Sequence, residues 1–170
     1  MANVDYFLKL TGIDGESQDQ KHKNEIDVMS FGWGEKQTGT AYQGGGMGSG
    51  KVQMNDFTFT MTVNKASPKL LLNCANGAAI TQAILTCRKA GKDQQEYYKI
   101  TMTDLLVSSY VTAGGYQTGA IAGSVELPVP TDHISLNYST ISFSYSPQKA
   151  DGTLDGAITA GWNLKANVAL

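Results

Sequence analysis

The chain has 170 residues, a net charge of −2 and only 16% charged residues. That length suits one domain, expected to span 1–170, which buries ~70% of its unfolded surface. With no basic stripe, the chain has no electrostatic footprint for nucleic acid or an anionic membrane, and no run of ~18 apolar residues exists to cross a bilayer as a helix.

The N-terminal MANVDYFLKL lacks a basic region followed by a long apolar run. No cleaved leader is therefore expected, and the protein is expected to be made in the cytoplasm. Val4, Tyr6, Leu8 and Leu10 alternate with polar or mixed residues and predict a first strand. Thr11 to Asn24 is polar and carries Asp-Gly turn chemistry. From Glu25 a second strand is predicted, with Ile26, Val28, Ser30, Gly32 and Gly34 on one face and Asp27, Met29, Phe31, Trp33 and Glu35 on the other. The first face shrinks toward its end. That suits either a close approach by another backbone or cargo, or a barrel bend.

Thr38 to Gly50 is a thirteen-residue connection with six glycines. A loop of that length without its own structure is usually functional or mobile, and its glycines make it costly to order. It is expected to act as an arm that orders on another subunit. Next, Phe57, Phe59, Met61 and Val63 alternate with threonines, giving one buried and one wet face. The phase slips at Asn55-Asp56, so the strand starts or bulges there.

Ser67-Pro68 reads as an N-cap followed by proline at the first helical position, Leu71, Cys74 and Ala75 fall at helical spacing, and Gly77 is a stop. This short helix, about residues 67–76, must pack on the sheets. Strands are then predicted over Ile80 to Lys89 and Glu96 to Val111, with Arg88 to Gln95 as the turn between them. The second of these slips in phase between Met102 and Leu105. Thr112 to Thr131 carries four glycines and two prolines, with a short edge strand expected around Gly123 to Leu127. A strand over Ile134 to Tyr145 is expected to bend at Ser139-Thr140. The last strand is predicted to run from Ile158 to Val168. About eight strands with repeated bulges and no βαβ alternation predict a mainly β protein, a small closed or nearly closed antiparallel β-barrel with one flanking helix.

Motifs for chemistry are absent or incomplete. Gly45 to Lys51 nearly fits a phosphate-binding loop, but Val52 stands where Ser or Thr is needed, and a strand follows instead of a helix. Asp151 to Gly156 hints at a calcium loop, but Trp162 occupies the position of the bidentate glutamate. Asn137-Tyr138-Ser139 is a glycosylation sequon by pattern only, inside a predicted strand. His22 and His133 are isolated. Cys74 and Cys87 are read as small buried hydrophobes, not a disulfide or metal pair. No catalytic, cofactor or metal residue is identified.

Taken in order, DYFLKLTGIDGESQDQKHKNEIDV, FGWG, GGGMGSGKVQMNDFTFT, NKASPKLL, RKAG, QQEYYKI, YSPQKADG and GWNLKAN resemble the Hcp (haemolysin-coregulated protein) family over nearly the whole chain. The resemblance implies a non-enzymatic β-barrel that assembles into a homohexamer. Rings stack into the inner tube of the bacterial type VI secretion system. A contractile sheath drives that tube, tipped by a VgrG-type spike, out toward the extracellular space or target cell. Small secreted effectors are held and chaperoned in the lumen. On this resemblance the ring-stacking loop is Thr38, Gly39, Thr40, Ala41, Tyr42, Gln43, Gly44, Gly45, Gly46, Met47, Gly48, Ser49 and Gly50. Ser30 and Gly32 are the candidate lumen and cargo contacts. Thr112 to Thr131 departs from the family pattern, so no contact is transferred to it. The alternative is a monomeric β-sandwich carbohydrate-binding or adhesin-like domain, in which Tyr42, Tyr110 and Tyr116 would stack on sugars.

Overall fold

The computed structural model describes residues 4–37, 51–89, 94–117 and 125–170. In chain order the elements are β1 (Val4–Leu10), β2 (Ile26–Asp27), β3 (Ser30–Gly32), β4 (Glu35–Lys36), β5 (Gln53–Met54), β6 (Phe57–Thr62), α1 (Ser67–Asn76), β7 (Ile80–Lys89), β8 (Glu96–Gln117), β9 (Val125–Asn137), β10 (Thr140–Tyr145), β11 (Ile158–Asn163) and β12 (Val168–Ala169). The fold is mainly β and every pairing between these strands is antiparallel.

The long strand β8 is shared by two layers. Its first half pairs with β7 on one side and β10 on the other. From Leu106 onward it pairs with β9. From β7 the sheet continues to β1 and β2, and from β9 it continues to β6 and β3. Because β2 and β3 are successive pieces of one segment, the two ends of the curled sheet meet in the chain. There Val28 N–H donates to the Tyr6 carbonyl of β1 at 2.9 Å, and Met29 N–H donates to the Thr60 carbonyl of β6 at 2.8 Å. Two adjacent amides thus bridge the layers, where a continuous ladder would have been the alternative. β10, β11 and β12 leave the barrel as a three-stranded wing.

Both predicted phase slips in the long strands lie where the curvature is made. Asp104 has φ 50°, which lets Met102 and Leu105 both face the core, where each is at most 1% exposed. Opposite it, Ser139 N–H donates to the Thr103 carbonyl and its hydroxyl donates to the Asp104 carbonyl. Tyr138 and Ile141 consequently both face inward. A bulge on one strand facing a bulge on its partner bends both without stranding a polar group.

Three expectations need correction, and one open choice narrows. The predicted strand from Glu25 is three short pieces, because its inward face changes from Ile26 and Val28 to Phe31 and Trp33 as it crosses between layers. An added Cβ at Gly32 or Gly34 would meet nothing nearer than 3.5 Å, so the small face there reflects no close approach within this chain. The predicted edge strand near Gly123 is the start of the longer β9, paired with a β8 that runs on to Gln117. Pro128 and Pro130 fall where the β8–β9 register skips, between the Gly115–Leu127 and Ala113–Thr131 pairs. Proline can sit there because no ladder N–H is required of it. The last predicted strand is a hairpin: Asn167 has φ 57°, and Val168 and Ala169 turn back to pair with Asn163 and Trp162.

The helix ends as expected, with left-handed Gly77 donating its N–H to the Asn73 carbonyl. Its start and its buried stripe differ. Ser67 is the first helical residue and Ala66 the N-cap. The Ser67 hydroxyl donates to Asp132 at 2.6 Å, while Thr112 donates to the other oxygen of that fully buried carboxylate. This carboxylate therefore pins α1 to β9 and β8. The inward residues are Leu70, fully buried, and half-buried Cys74, one helical turn apart. Leu71 and Leu72 face outward, 53% and 57% exposed.

The polar loop after β1 folds over Phe7, which points away from the main core. The His22 ring stacks on Phe7 with centroids 4.3 Å apart, and the Arg88 guanidinium lies 4.8 Å from the same ring. Arg88 donates to Asp19 at 2.7 Å and Asp5 at 3.1 Å. His22 meets Glu25 at 2.9 Å and Glu96 at 3.4 Å. This buried ionic cluster joins the loop to β1, β7 and β8. Sequence reading saw only isolated residues there, since Asp5, Asp19 and Arg88 are distant in the chain.

Two tests follow from this packing. Leu70→Ala should lower the unfolding free energy in urea by about 2–5 kcal/mol, whereas Leu71→Ala should lower it by less than about 1 kcal/mol. Equal losses would restore the stripe expected from the sequence. The hydrogen bond from Arg88, with its charge, holds the Asp19 carboxyl well below the usual carboxylate range. A depressed carboxyl stabilises the fold fully above its unfolded value near ~4, and that stability fades as pH falls below it. Asp19→Asn should therefore flatten the loss of urea midpoint between neutral and strongly acidic pH. An unchanged acid slope would show that the pair does not contribute.

Candidate functional site

The outer face of β3, β6, β9 and the second half of β8 is built by strand alternation. On β6, Phe57, Phe59 and Met61 are buried, and Thr58, Thr60 and Thr62 point the other way. Register then adds the partners. Ser30 lies opposite Thr60 and Gly32 opposite Thr58, while His133 and Ser135 of β9 lie opposite Thr60 and Thr58 on the other side. Val111 and Ser109 of β8 complete the row. The two predicted contact residues therefore share one surface, a shallow cavity of about 340 Å³. The Ser30 and Thr60 hydroxyls share a hydrogen bond of 2.6 Å, and Thr58 donates to the Gly32 carbonyl at 3.2 Å.

The sequence showed the wet threonines of β6 but not that His133, Ser135 and Ser109 join them. Ser109 reaches this face only through the register shift after buried Val107, two residues before it. His133 and Ser135 alternate with Ile134 and Leu136 in the same way, so their face was legible. Which strands lie side by side was not.

The predicted arm, Thr38 to Gly50, lies outside the described residues. Its root is described: β4 and β5 pair through Glu35–Met54 and Lys36–Gln53, and Asn55 N–H donates to the Gly34 carbonyl. Beside this root a groove of about 820 Å³ runs against the wing, walled by Trp33, Met54, Phe143 and Trp162. An edge-on contact between Tyr98 and Phe143 at 5.2 Å continues the core aromatics into the wing. Lys51 leads into β5, so the glycine-lysine sequence opens no helix.

Other candidate chemistry resolves into structure. The Asp151 carboxylate accepts hydrogen bonds from the Thr153 N–H and hydroxyl within its own turn. Cys74 and Cys87 are free thiols, and burial pushes Cys87 up to about 12. Among the described residues no group of three His, Cys, Asp or Glu could hold a metal ion. Of the aromatics proposed to stack on sugars, Tyr110 is half-buried against the core, and Tyr42 lies outside the described residues.

Gly32 has room for a side chain, its added Cβ standing 3.5 Å from the Thr58 hydroxyl. Gly15 has none, its added Cβ falling 2.3 Å from the Glu25 carbonyl oxygen. Gly32→Ala should shift the unfolding free energy by less than about 1 kcal/mol. Gly15→Ala should cost several times more, as read by thermal melts of both variants. A Gly32→Ala variant that unfolds as readily as Gly15→Ala would refute this geometry.

Comparison with known proteins agrees with this architecture. The family described as "Type VI secretion system effector, Hcp" matches residues 7–145. Protein hcp1 of Pseudomonas aeruginosa is 42% identical over 167 residues, covering 97% of this chain and 98% of that protein. The crystal structure of Hcp1 from Salmonella typhimurium superposes with a TM-score of 0.75 at 39% identity, covering 100% of both chains. The structure of a type six secretion system protein superposes with a TM-score of 0.87 at 30% identity, covering 99% of this chain and 100% of the other. With match, identity and fold in agreement from β1 to the wing, the chain belongs to the Hcp family of the type VI secretion system.

Proposed function

We propose that this protein, a single Hcp-like domain over residues 1–170, is the ring-forming subunit of a type VI secretion tube. Six copies close into a hexamer and the hexamers stack. The tube travels out of the cell behind a VgrG-type spike, driven by a contractile sheath. Small effectors ride in the lumen and are stabilised there. The role is mechanical and contains no catalytic step.

The observation that carries this reading is the uncovered wing. Phe143, Tyr145 and Ile158 share one of its faces and are 37%, 41% and 66% exposed. On the other face Leu170, 65% exposed, lies over Gly161. A cluster of large apolar side chains exposed on one face of an element suits burial against further copies. A contact surface that differs from the surface it meets generates a closed ring or a filament, not an isolated dimer. Each contact must bury on the order of 1,000 Å² or more to persist.

The hydroxyl face of β3, β6, β8 and β9 supplies the second half of the reading. It is open and mostly polar, with exposed Val111 as an apolar side chain among its hydroxyls, as suits a passage for varied cargo. Ser30 and Gly32 lie within it and are its proposed cargo contacts. Thr38 to Gly50 is the proposed link between stacked rings.

Ile158→Asp should convert rings to monomers in analytical ultracentrifugation at micromolar concentration. Removal of Gly44 to Gly50 should leave rings intact but abolish stacks under negative-stain microscopy. Wild-type protein that sediments only as a monomer would overturn the assembly.

A further inference from the structure

The hydroxyl face holds three side chains whose polar atoms are unused. Ser109 and Ser135 are direct partners across β8 and β9. His133 stands two residues along on the same face, paired with Thr60 on one side and Val111 on the other. Ser30, Thr58 and Thr60 already hydrogen-bond within the face. The side chains of Ser109, Ser135 and His133 have no hydrogen-bond partner among the described residues, and all three line the cavity of about 340 Å³.

The electrical surroundings of His133 are plain. Among the described residues that line the cavity it is the one titratable group. β3 faces it with Ser30 and Gly32, β6 with Thr58 and Thr60, and β8 with Ser109 and Val111. Its sequence neighbour Asp132 is buried on the opposite side of β9, held by Ser67 and Thr112. Asp56, at the near end of β6, accepts from Ser108 and Asn137. Among the described residues no carboxylate competes for donors inside the cavity, and no lysine or arginine lines it.

We propose that His133, Ser109 and Ser135 form a subsite for a carboxylate carried by a cargo polypeptide. Two hydroxyls and an imidazole N–H can all donate to one carboxylate, which only accepts. Protonation of the imidazole makes one of those bonds charge-assisted. A cationic side chain would find no carboxylate among the described residues there and would be repelled by an imidazolium. The subsite therefore favours acidic segments and grips them harder as pH falls. It rests on the cargo-lumen reading above, which repeats it once per copy around the ring.

The test uses the full chain with three fluorescent probes, hexaglutamate, hexaglutamine and hexalysine, in binding titrations at pH 6 and pH 8. Hexaglutamate should bind best at pH 6. His133→Gln, and separately the Ser109→Ala, Ser135→Ala pair, should each weaken it about fivefold. At pH 8 the effect of His133→Gln should shrink. Unchanged hexaglutamate binding in His133→Gln at pH 6, a preference for hexalysine, or no binding of any probe would each overturn the subsite. Sedimentation of the same samples separates the two readings. A ring without His133-dependent binding refutes the subsite alone, and His133-dependent binding to a monomer refutes the ring alone.

Discussion

The whole architecture depends on two neighbouring amides. Val28 bonds back to β1 and Met29 bonds forward to β6, so one short segment joins the two ends of a curled sheet. Unpaired backbone groups at the two sheet edges would otherwise remain open to solvent or to another chain. The same crossing reverses which residues face inward. That is why Ser30 and Gly32, on the inward parity of Ile26 and Val28, end up on the open face.

Around this junction the molecule divides its surface by chemistry. One open face is rich in hydroxyls and small residues. One face of the wing and the outer ridge of α1 carry exposed apolar side chains. Polar, weakly adhesive surface suits transient contact, whereas exposed aliphatic and aromatic side chains suit lasting contact between copies. Because both are held on strands of the same sheet, the proposed cargo surface and the proposed assembly surface keep a fixed relation to one another.

Buried charge fixes the parts that strand pairing leaves loose. The Asp132 carboxylate ties the helix start to two strands, and Arg88 with Asp5 and Asp19 ties the first loop to the barrel. Arg88 Nε and Nη1 have no partner among the described residues. In this cluster Arg88 is buried while Asp5 and Asp19 keep part of their exposure, and losing either carboxylate leaves a buried cation less well paired. The cluster's value here is positional: it fixes one loop conformation over Phe7.

Local pattern determined much of this protein. Period-2 alternation defined the buried faces of β1, β6 and β9, phase slips located the bends at Asp104 and Ser139, and Gly77 marked the helix end, because each depends on residues adjacent in the chain. The ordered motifs carried the family. Tertiary structure alone decided the crossing at Val28, the helix phase that buries Leu70 in place of Leu71, the hairpin that ends the chain and the gathering of His133, Ser109 and Ser135 beside Ser30. Those outcomes turn on which strands become neighbours and what covers them. Side chains separated by scores of residues settle that through burial and pairing, and no window along the sequence contains both partners.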